Sequence, residues 1–488
     1  MGRKLQNEKI ILGLKIRKLR VEKELSFAEF SVLTGLSTSY LNEIEKGKKF
    51  PKEDKIKIIA KELSTSPESL LSNDIPTSLK PIKELLESNF LNELPLDIFG
   101  VDLAKVVEVM AGAPSKVGAF VATLINISRN YALVEENFYF GALRSYLEMH
   151  NNYFEEIELE VASFCNAHQI ADDELVTVNK LQAILEKEYQ YEILENQLKK
   201  YPELKKVRSL FLEKKRQLLF NTNLNSAQRA FQLGKEIGFN FLNLKERAMT
   251  ASLIKVNSFE EALNHFKAGY FSVALRINRQ LFIKDLKHLF DQTEWREVIF
   301  LDLLKKYDVY PEMLFQRMIN LIPEFFGVKN IFFLRFIYNP QTEKFKVNRE
   351  LHLNIKHPPH STNDLKEHYC RRWKGFALFK NMVENEKELS VDVQNEIFIN
   401  SKPYFSITVA VRSNNGTFVS ATMGILKDAK AKATIKFIDS PTIATTIVGT
   451  TCERCPIMDC QERVANPVIV NKKEKLKKIN EAIKRIES

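Results

Sequence analysis

The sequence predicts a mainly α fold that ends in an α+β domain, and three observations carry that prediction. Apolar residues recur at helical spacing from the N-terminus to about residue 290. From Ile331 the pattern switches to short runs rich in β-branched and aromatic residues. Between them and the first small block lies a polar stretch with two prolines, Asn73 to Pro81, which has the composition of a linker. The expected order is a five-helix domain over 8–72, the linker 73–81, a helical region 82–325, an α+β domain 326–470 with an antiparallel or mixed sheet, and a basic amphipathic helix 471–488.

The totals agree with this division. A chain of 488 residues suggests about three domains at the usual ~150 residues each. Hydrophobic content of 44% and charged content of 27% suit ordinary globular cores rather than disorder. The formal net charge of +10 favours a polyanionic partner, modestly for this length. No run of 18 apolar residues predicts a membrane span. The first residues carry no apolar signal core, so a cytoplasmic, thiol-reducing setting is expected. Five cysteines there do not form a disulfide framework; a tight group of them points to metal or reactivity.

Within the first block, Ile16 and Leu19 mark the apolar side of helix one. Ser26 followed by Glu29 reads as a capping box for helix two, whose apolar face holds Phe27 and Phe30. Gly35 permits a sharp turn, and Ser37 caps helix three. In that helix Leu41 and Ile44 face inward, leaving Thr38, Ser39, Tyr40 and Asn42 outward. Gly47 ends it, Pro51 opens helix four with Ile58, Ile59 and Leu63 inside, and Ser66-Pro67-Glu68 starts helix five.

This succession, from Ile16 to Leu71 and including Gly35-Leu36-Ser37, Tyr40-Leu41, Ile44-Glu45-Lys46-Gly47 and Pro51, resembles the phage-repressor-like XRE/Cro helix-turn-helix family. The resemblance implies that helix three enters the major groove of double-stranded DNA. It nominates Thr38, Ser39, Tyr40 and Asn42, with Ser37 at the cap, for base or phosphate contact, and Lys46, Lys48 and Lys49 for phosphates. It also implies a structural pair between Arg20 and Glu45, and a homodimer on two half-sites. One position departs: the family often has a DNA-contacting Gln where this chain has Phe27. The competing reading is a five-helix protein-interaction module.

Helix spacing continues in the middle, as at Phe120, Leu124 and Ile127, at Phe138, Leu143 and Leu147, and after Pro114. No fixed-period repeat supports a solenoid. The segment Arg229–Glu236 looks like the active-site helix of ImmA/IrrE-type metallopeptidases. Such a helix carries His-Glu with a second His one turn on. Lys235 and Glu236 stand in that place here, and a lysine cannot replace the imidazole ligand, so peptidase chemistry and catalytic residues are not expected. His265 reads as an ordinary surface or packing residue.

In the C-terminal region, 331–338, 344–353, 404–412, 417–426 and 434–438 read as strands, with Asn414-Asn415-Gly416 as a hairpin turn. Then comes Cys452-x2-Cys455-x4-Cys460, three clustered thiols of a soft-metal site that do not close a tetrahedron. Taken with Phe266–Leu275, Phe315–Leu321 and Phe332–Arg335, this order is similar to the short-chain fatty acyl transcriptional regulator family. That resemblance implies a small-molecule effector, a short-chain acyl-CoA or related metabolite. It also implies Cys370, in Cys370-Arg371-Arg372-Trp373, as a fourth ligand, with Arg where the family has Pro. Four thiolates suit zinc or an iron–sulfur cluster. Cys165 lies in an apolar helical context and reads as packed. Arg317 and Arg335 are candidates for an anionic group or for surface ion pairs, and the ligand pocket is not placed. Leu476, Ile479, Ile483 and Ile486 line one face of a last helix, expected to dock on its own protein rather than to dimerise. The reading that follows is a DNA-binding, ligand-responsive transcription factor, not an enzyme. Its rivals are a DNA-binding protein with an interaction or redox module and a metallopeptidase–repressor fusion.

Overall fold

The computed structural model describes residues 2–72, 135–204, 207–221, 224–248, 250, 256–353, 367–398, 403–413 and 416–487. The expected linker and the helices around Pro114 and Phe120–Ile127 lie outside these residues. The chain divides into two compact units, 1–143 with 256–259 and 144–255 with 260–488.

The first unit opens with the expected five helices: α1 (Gly2–Glu22), α2 (Phe27–Thr34), α3 (Thr38–Glu45), α4 (Glu53–Glu62) and α5 (Pro67–Leu71). The local signals act as read. Ser26 and Glu29 close a reciprocal capping box on α2, and the Ser37 and Ser66 hydroxyls accept from Tyr40 N–H and Ser69 N–H. Gly35 and Gly47 take φ of +67° and +66° at the ends of α2 and α3. Pro51 sits outside α4, which starts at Glu53 with Lys52 as its cap, because the chain is still extended there. Ile16, Phe30, Leu41, Ile44 and Ile59 form the sealed centre of this domain.

In the second unit, α6 (Glu135–Met149, which begins in the first unit), α7 (Glu155–Ala167) and α8 (Val178–Tyr189) precede a small sheet absent from the sequence reading. Its strands β1 (Glu192–Glu195), β2 (Ser209–Leu212) and β3 (Gln217–Phe220) stand in the order β1-β3-β2, with β1 parallel to β3. Five helices follow: α9 (Ser226–Phe241), α10 (Phe259–Arg276), α11 (Arg279–Phe290), α12 (Glu297–Lys306) and α13 (Pro311–Leu321).

The larger sheet holds β4 (Ile331–Asn339), β5 (Lys344–Leu353), β6 (Leu389–Phe398), β7 (Pro403–Arg412), β8 (Phe418–Leu426) and β9 (Thr445–Val448). Their order is β5-β4-β8-β7-β6-β9, antiparallel except for the parallel β6–β9 pair, so the sheet is mixed. Alternation of side chains gives it two apolar faces. Phe333, Val391, Phe405, Ile407 and Met423 pack with residues of α11–α13, including Phe282, Phe300 and Phe315, in one continuous core. That shared core explains why no unit boundary falls near residue 326. The opposite face, with Phe332, Phe336, Tyr404 and Phe418, packs beneath α14 (Lys374–Glu384) around the buried Trp373.

Two expectations fail here. The segment 434–438 is not a strand. Asp428 caps a short helix, α15 (Ala429–Thr434), that takes Thr434, and Ile435, Phe437 and Ile438 are buried in the turn after it. The last helix, α16 (Val468–Glu487), leaves Leu476, Ile479 and Ile483 about half exposed and Ile486 85% exposed, so its apolar face is not docked on the described residues. Among the described residues no helix is long and apolar enough to cross a membrane.

Candidate nucleic-acid interface and cysteine site

The N-terminal domain presents α3 on a rigid base. Gly13 of α1 lies so close to α3 that a Cβ there would stand 2.3 Å from the Ile44 carbonyl oxygen. The Arg20 guanidinium then grips the Glu45 carboxylate at 2.7 and 3.0 Å and donates to the Leu25 carbonyl, as the family pair requires. Phe27 stacks against Arg20, 4.1 Å from guanidinium carbon to ring centre. The residue that departs from the family pattern thus braces the ion pair. Lys15, buried at 5% exposure, donates to the carbonyls of Ser69 and Ser72 and so ties α1 to the end of α5. Sequence spacing gives no sign of Gly13 or Lys15, because both act across helices.

On the outer side Thr38 and Ser39 are exposed at the first turn of α3. Asn42 is half-buried, and Tyr40 rests partly on the core rather than facing fully outward. The Ser37 oxygen is engaged by its own helix. Lys48 is exposed and Lys46 half-buried, while Lys49 reaches Glu43 at 3.3 Å and lies over the Tyr40 ring. The geometry therefore gathers the nominated residues on one face, with Thr38, Ser39 and Lys48 the most accessible.

A second cluster gathers around Lys235 and Glu236 of α9. The Glu236 carboxylate of α9 accepts from Arg247 at 2.5 Å and from the Tyr191 hydroxyl at 3.1 Å, and Asn240 donates to Tyr191. Lys235, 3% exposed, meets His265 of α10 at 2.6 to 2.9 Å. His265 is therefore no isolated surface residue: its partner comes from the neighbouring helix, which sequence spacing could not show. Arg317 and Arg335 are likewise engaged. Arg317 is fully buried, its two Nη groups on Glu158 and its Nε on the Ile277 carbonyl, and Arg335 pairs with Glu312. Neither offers itself to a ligand.

Cys370, Cys452, Cys455 and Cys460 line one small cavity, although 82 residues separate Cys370 from Cys452 in sequence. A two-residue antiparallel bridge, Tyr369 with Thr451, brings the segments together, and Cys452 N–H donates to the His368 carbonyl. Glu367 accepts two hydrogen bonds from Arg454 and one from Thr451, and Glu453 meets His368. Arg463 wraps the loop by donating to the carbonyls of Cys452, Cys455 and Ile457. Gly449 N–H points at the Cys370 sulfur at 3.4 Å. Burial pushes the Cys370 thiol up to about 11, against the pull of that N–H. All five cysteines are free thiols. The open space among the four is about 10 Å³, room for one water-sized group. Among the described residues no three His, Cys, Asp or Glu side chains are spaced to hold a single metal ion. The donor chemistry fits a thiophilic group, and the metal-free spacing is not closed around one. Cys165 stands apart on α7, its thiol raised to about 11 by burial.

Comparison with known proteins agrees with the geometry of the first domain. A helix-turn-helix family model matches residues 16–70. A search of curated proteins gives no match. Among solved structures, a Mycobacterium tuberculosis transcriptional regulator is similar at 14% identity and a TM-score of 0.47, over 67% of this chain and 93% of that one. The apo form of the competence regulator ComR from Streptococcus vestibularis is similar at 14% identity and a TM-score of 0.13, over 64% and 70%. At these scores neither carries a functional assignment. Residues 16–70 are an XRE-type helix-turn-helix domain.

Proposed function

We propose that this chain is a sequence-specific DNA-binding transcriptional regulator. The observation that carries the reading is α3, held by Arg20–Glu45 and Gly13, with Thr38 and Ser39 open at its first turn and Lys48 beside them. Hydroxyls at that turn can donate and accept on base edges, and the lysines meet phosphates. Binding to operator DNA, once selected from random duplexes, should weaken linearly in log K against log salt. Lys48→Ala should reduce that slope by about 1 and leave sequence preference intact. Thr38→Ala with Ser39→Ala should instead relax the preference. A slope near zero would remove the DNA reading.

A homodimer is part of the proposal, and the exposed face of α16 supports it. Leu476, Ile479, Ile483 and Ile486 follow a heptad seam that Ile469 extends. In a parallel pair Lys475 of one copy faces Asn480 of the other, while Lys472, at the seam position between Ile469 and Leu476, opposes its own copy. Light scattering on Ile479→Asp should then show a monomer.

The effector is proposed as a short-chain acyl-CoA or related metabolite, on the resemblance alone. Calorimetry with acetyl-, propionyl- and butyryl-CoA tests it, and absence of heat with all three would reject it. We also propose that Cys370, Cys452, Cys455 and Cys460 hold zinc or an iron–sulfur cluster. Bound there, zinc would tie the Cys370 segment to the terminal loop, and a cluster would add a redox-sensitive centre. The proposed role is regulatory rather than hydrolytic, since Lys235 and Glu236 stand where a metallopeptidase helix would carry its His-Glu, and Arg247 and Tyr191 both donate to the Glu236 Oε2.

A further inference from the structure

The second unit contains a cleft of about 190 Å³ bounded by α7, the loop 170–175 and the junction of α10 and α11. Arg276, the last residue of α10, stands in its wall and is 4% exposed. One nitrogen of its guanidinium is well used. Nη2 donates to the carbonyls of Tyr307 and Asp308 at 3.2 and 2.6 Å and approaches the Asp308 carboxylate at 3.2 Å. The other two, Nε and Nη1, are buried and have no hydrogen-bond partner among the described residues.

The buried arginine of the same unit shows what is missing. Arg317 has every nitrogen engaged, with a complete carboxylate on its two Nη groups. An arginine keeps its charge at any ordinary pH, and a buried guanidinium with idle donors is costly unless an acceptor arrives. Arg276 borders the cleft, and Nε and Nη1 have no acceptor among the described residues.

We propose that this cleft binds a small monocarboxylate, its oxygens accepting from Arg276 and its short apolar body lying against Val161, Ile170 and Leu281. Three features set the class. The cleft is lined by the aliphatic residues Val161, Ile170, Ala274 and Leu275. Asp172, Asp173 and Glu174 stand exposed at the rim and disfavour a polyanion. The volume slightly exceeds the ~150 Å³ of a cavity that takes benzene, so the ligand is of benzoate size. Asn278 holds Asp172 at 2.9 Å and Lys180 holds Glu174 at 2.7 Å, which fixes the rim loop over the cleft.

This site is not the place of an acyl-CoA, which is too large and too strongly anionic for it. The inference and the acyl-CoA reading therefore fail independently.

The test uses the full chain without DNA, with benzoate as the probe and benzamide, inorganic phosphate and acetyl-CoA as controls. Two signals are read: the shift in Tm, and the alkylation rate of Cys165, which lines the cleft, followed by mass spectrometry of its peptide. Benzoate should raise Tm by a few degrees with saturation and slow Cys165 alkylation severalfold, and the controls should do neither. Ala162→Trp, at an exposed position of the wall, fills the cleft without touching Arg276 and should abolish both effects. Arg276→Lys should weaken them. No response in the natural chain, a response that survives Ala162→Trp, or an equal response to phosphate would each overturn the proposal.

Discussion

The α9 cluster and the cysteine cavity both gather reactive side chains in the second unit, and they differ in who satisfies them. Around α9, protein atoms meet the charges: Arg247 and Tyr191 on Glu236, His265 on Lys235. At the other site the backbone of the loops is tied down by Arg463 and Glu367, while among the sulfurs Cys370 receives the backbone N–H groups of Gly449 and Arg372. The first arrangement pairs its charges within the protein, although the buried Arg247 Nε has no hydrogen-bond partner among the described residues. The second spends its hydrogen bonds on placing four thiols together. A cluster of polar residues points to a ligand only where its chemical groups, and not merely its backbone, are left unmet.

The largest effect should come from the open site. Cys455→Ala should remove the bound metal from protein purified without oxygen, whereas Cys165→Ala should leave metal content unchanged. Metal analysis and an absorption spectrum distinguish the outcomes: broad visible absorption identifies a cluster, its absence with bound zinc identifies zinc. Equal metal content in both variants would make the cavity as structural as the α9 cluster and erase the comparison. If the proposed ligation joins Cys370 to the terminal loop, metal loss should also lower Tm.

The closed site should respond through stability alone. Glu236→Gln leaves Arg247 buried without a counter-charge, and removing one partner of a buried pair costs about 3–5 kcal/mol. A lower urea midpoint with an unchanged m-value would show this. Unchanged stability, or a hydrolytic activity lost with Glu236, would mean that the cluster is a working site after all.

The same distinction explains what was legible in the sequence. The helix-turn-helix could be read nearly residue by residue, since caps, turn glycines and apolar spacing are local signals. Its braces, Lys15 and Gly13, act across helices and left no such trace. Strand β6 escaped because the buried Asn395 breaks the apolar row of Leu389, Val391, Val393 and Ile397, and because the polar row beside it is buried as well; Glu396 in that row is fully buried, and burial pushes its carboxyl up to about 8. The strands β1, β2 and β3 are four residues each, too short for a period to show in a helical context. The opposite error arose at 434–438, where β-branched and aromatic residues fill a buried turn. Of the cysteines, three were adjacent enough to be read as one site; the fourth was joined to them only through a family pattern.

The smallest effect tests whether Phe27 belongs with the closed kind of contact. Its ring lies under the guanidinium that grips Glu45 and covers part of the core. Replacement by Leu should keep the packing and lose the ring–cation attraction, about 0.5–1 kcal/mol at a site of this exposure. Replacement by Gln, the residue common in similar domains, loses the packing as well and should destabilise the domain further. It should also add a donor and acceptor near the DNA. If Phe27 serves only as a brace, Phe27→Gln lowers Tm and leaves the operator preference unchanged. If the position still touches DNA, the preference shifts at one base pair while Phe27→Leu leaves it intact. A selected-sequence comparison of the three proteins separates the two, and a shift in preference would move Phe27 from the scaffold to the reading surface.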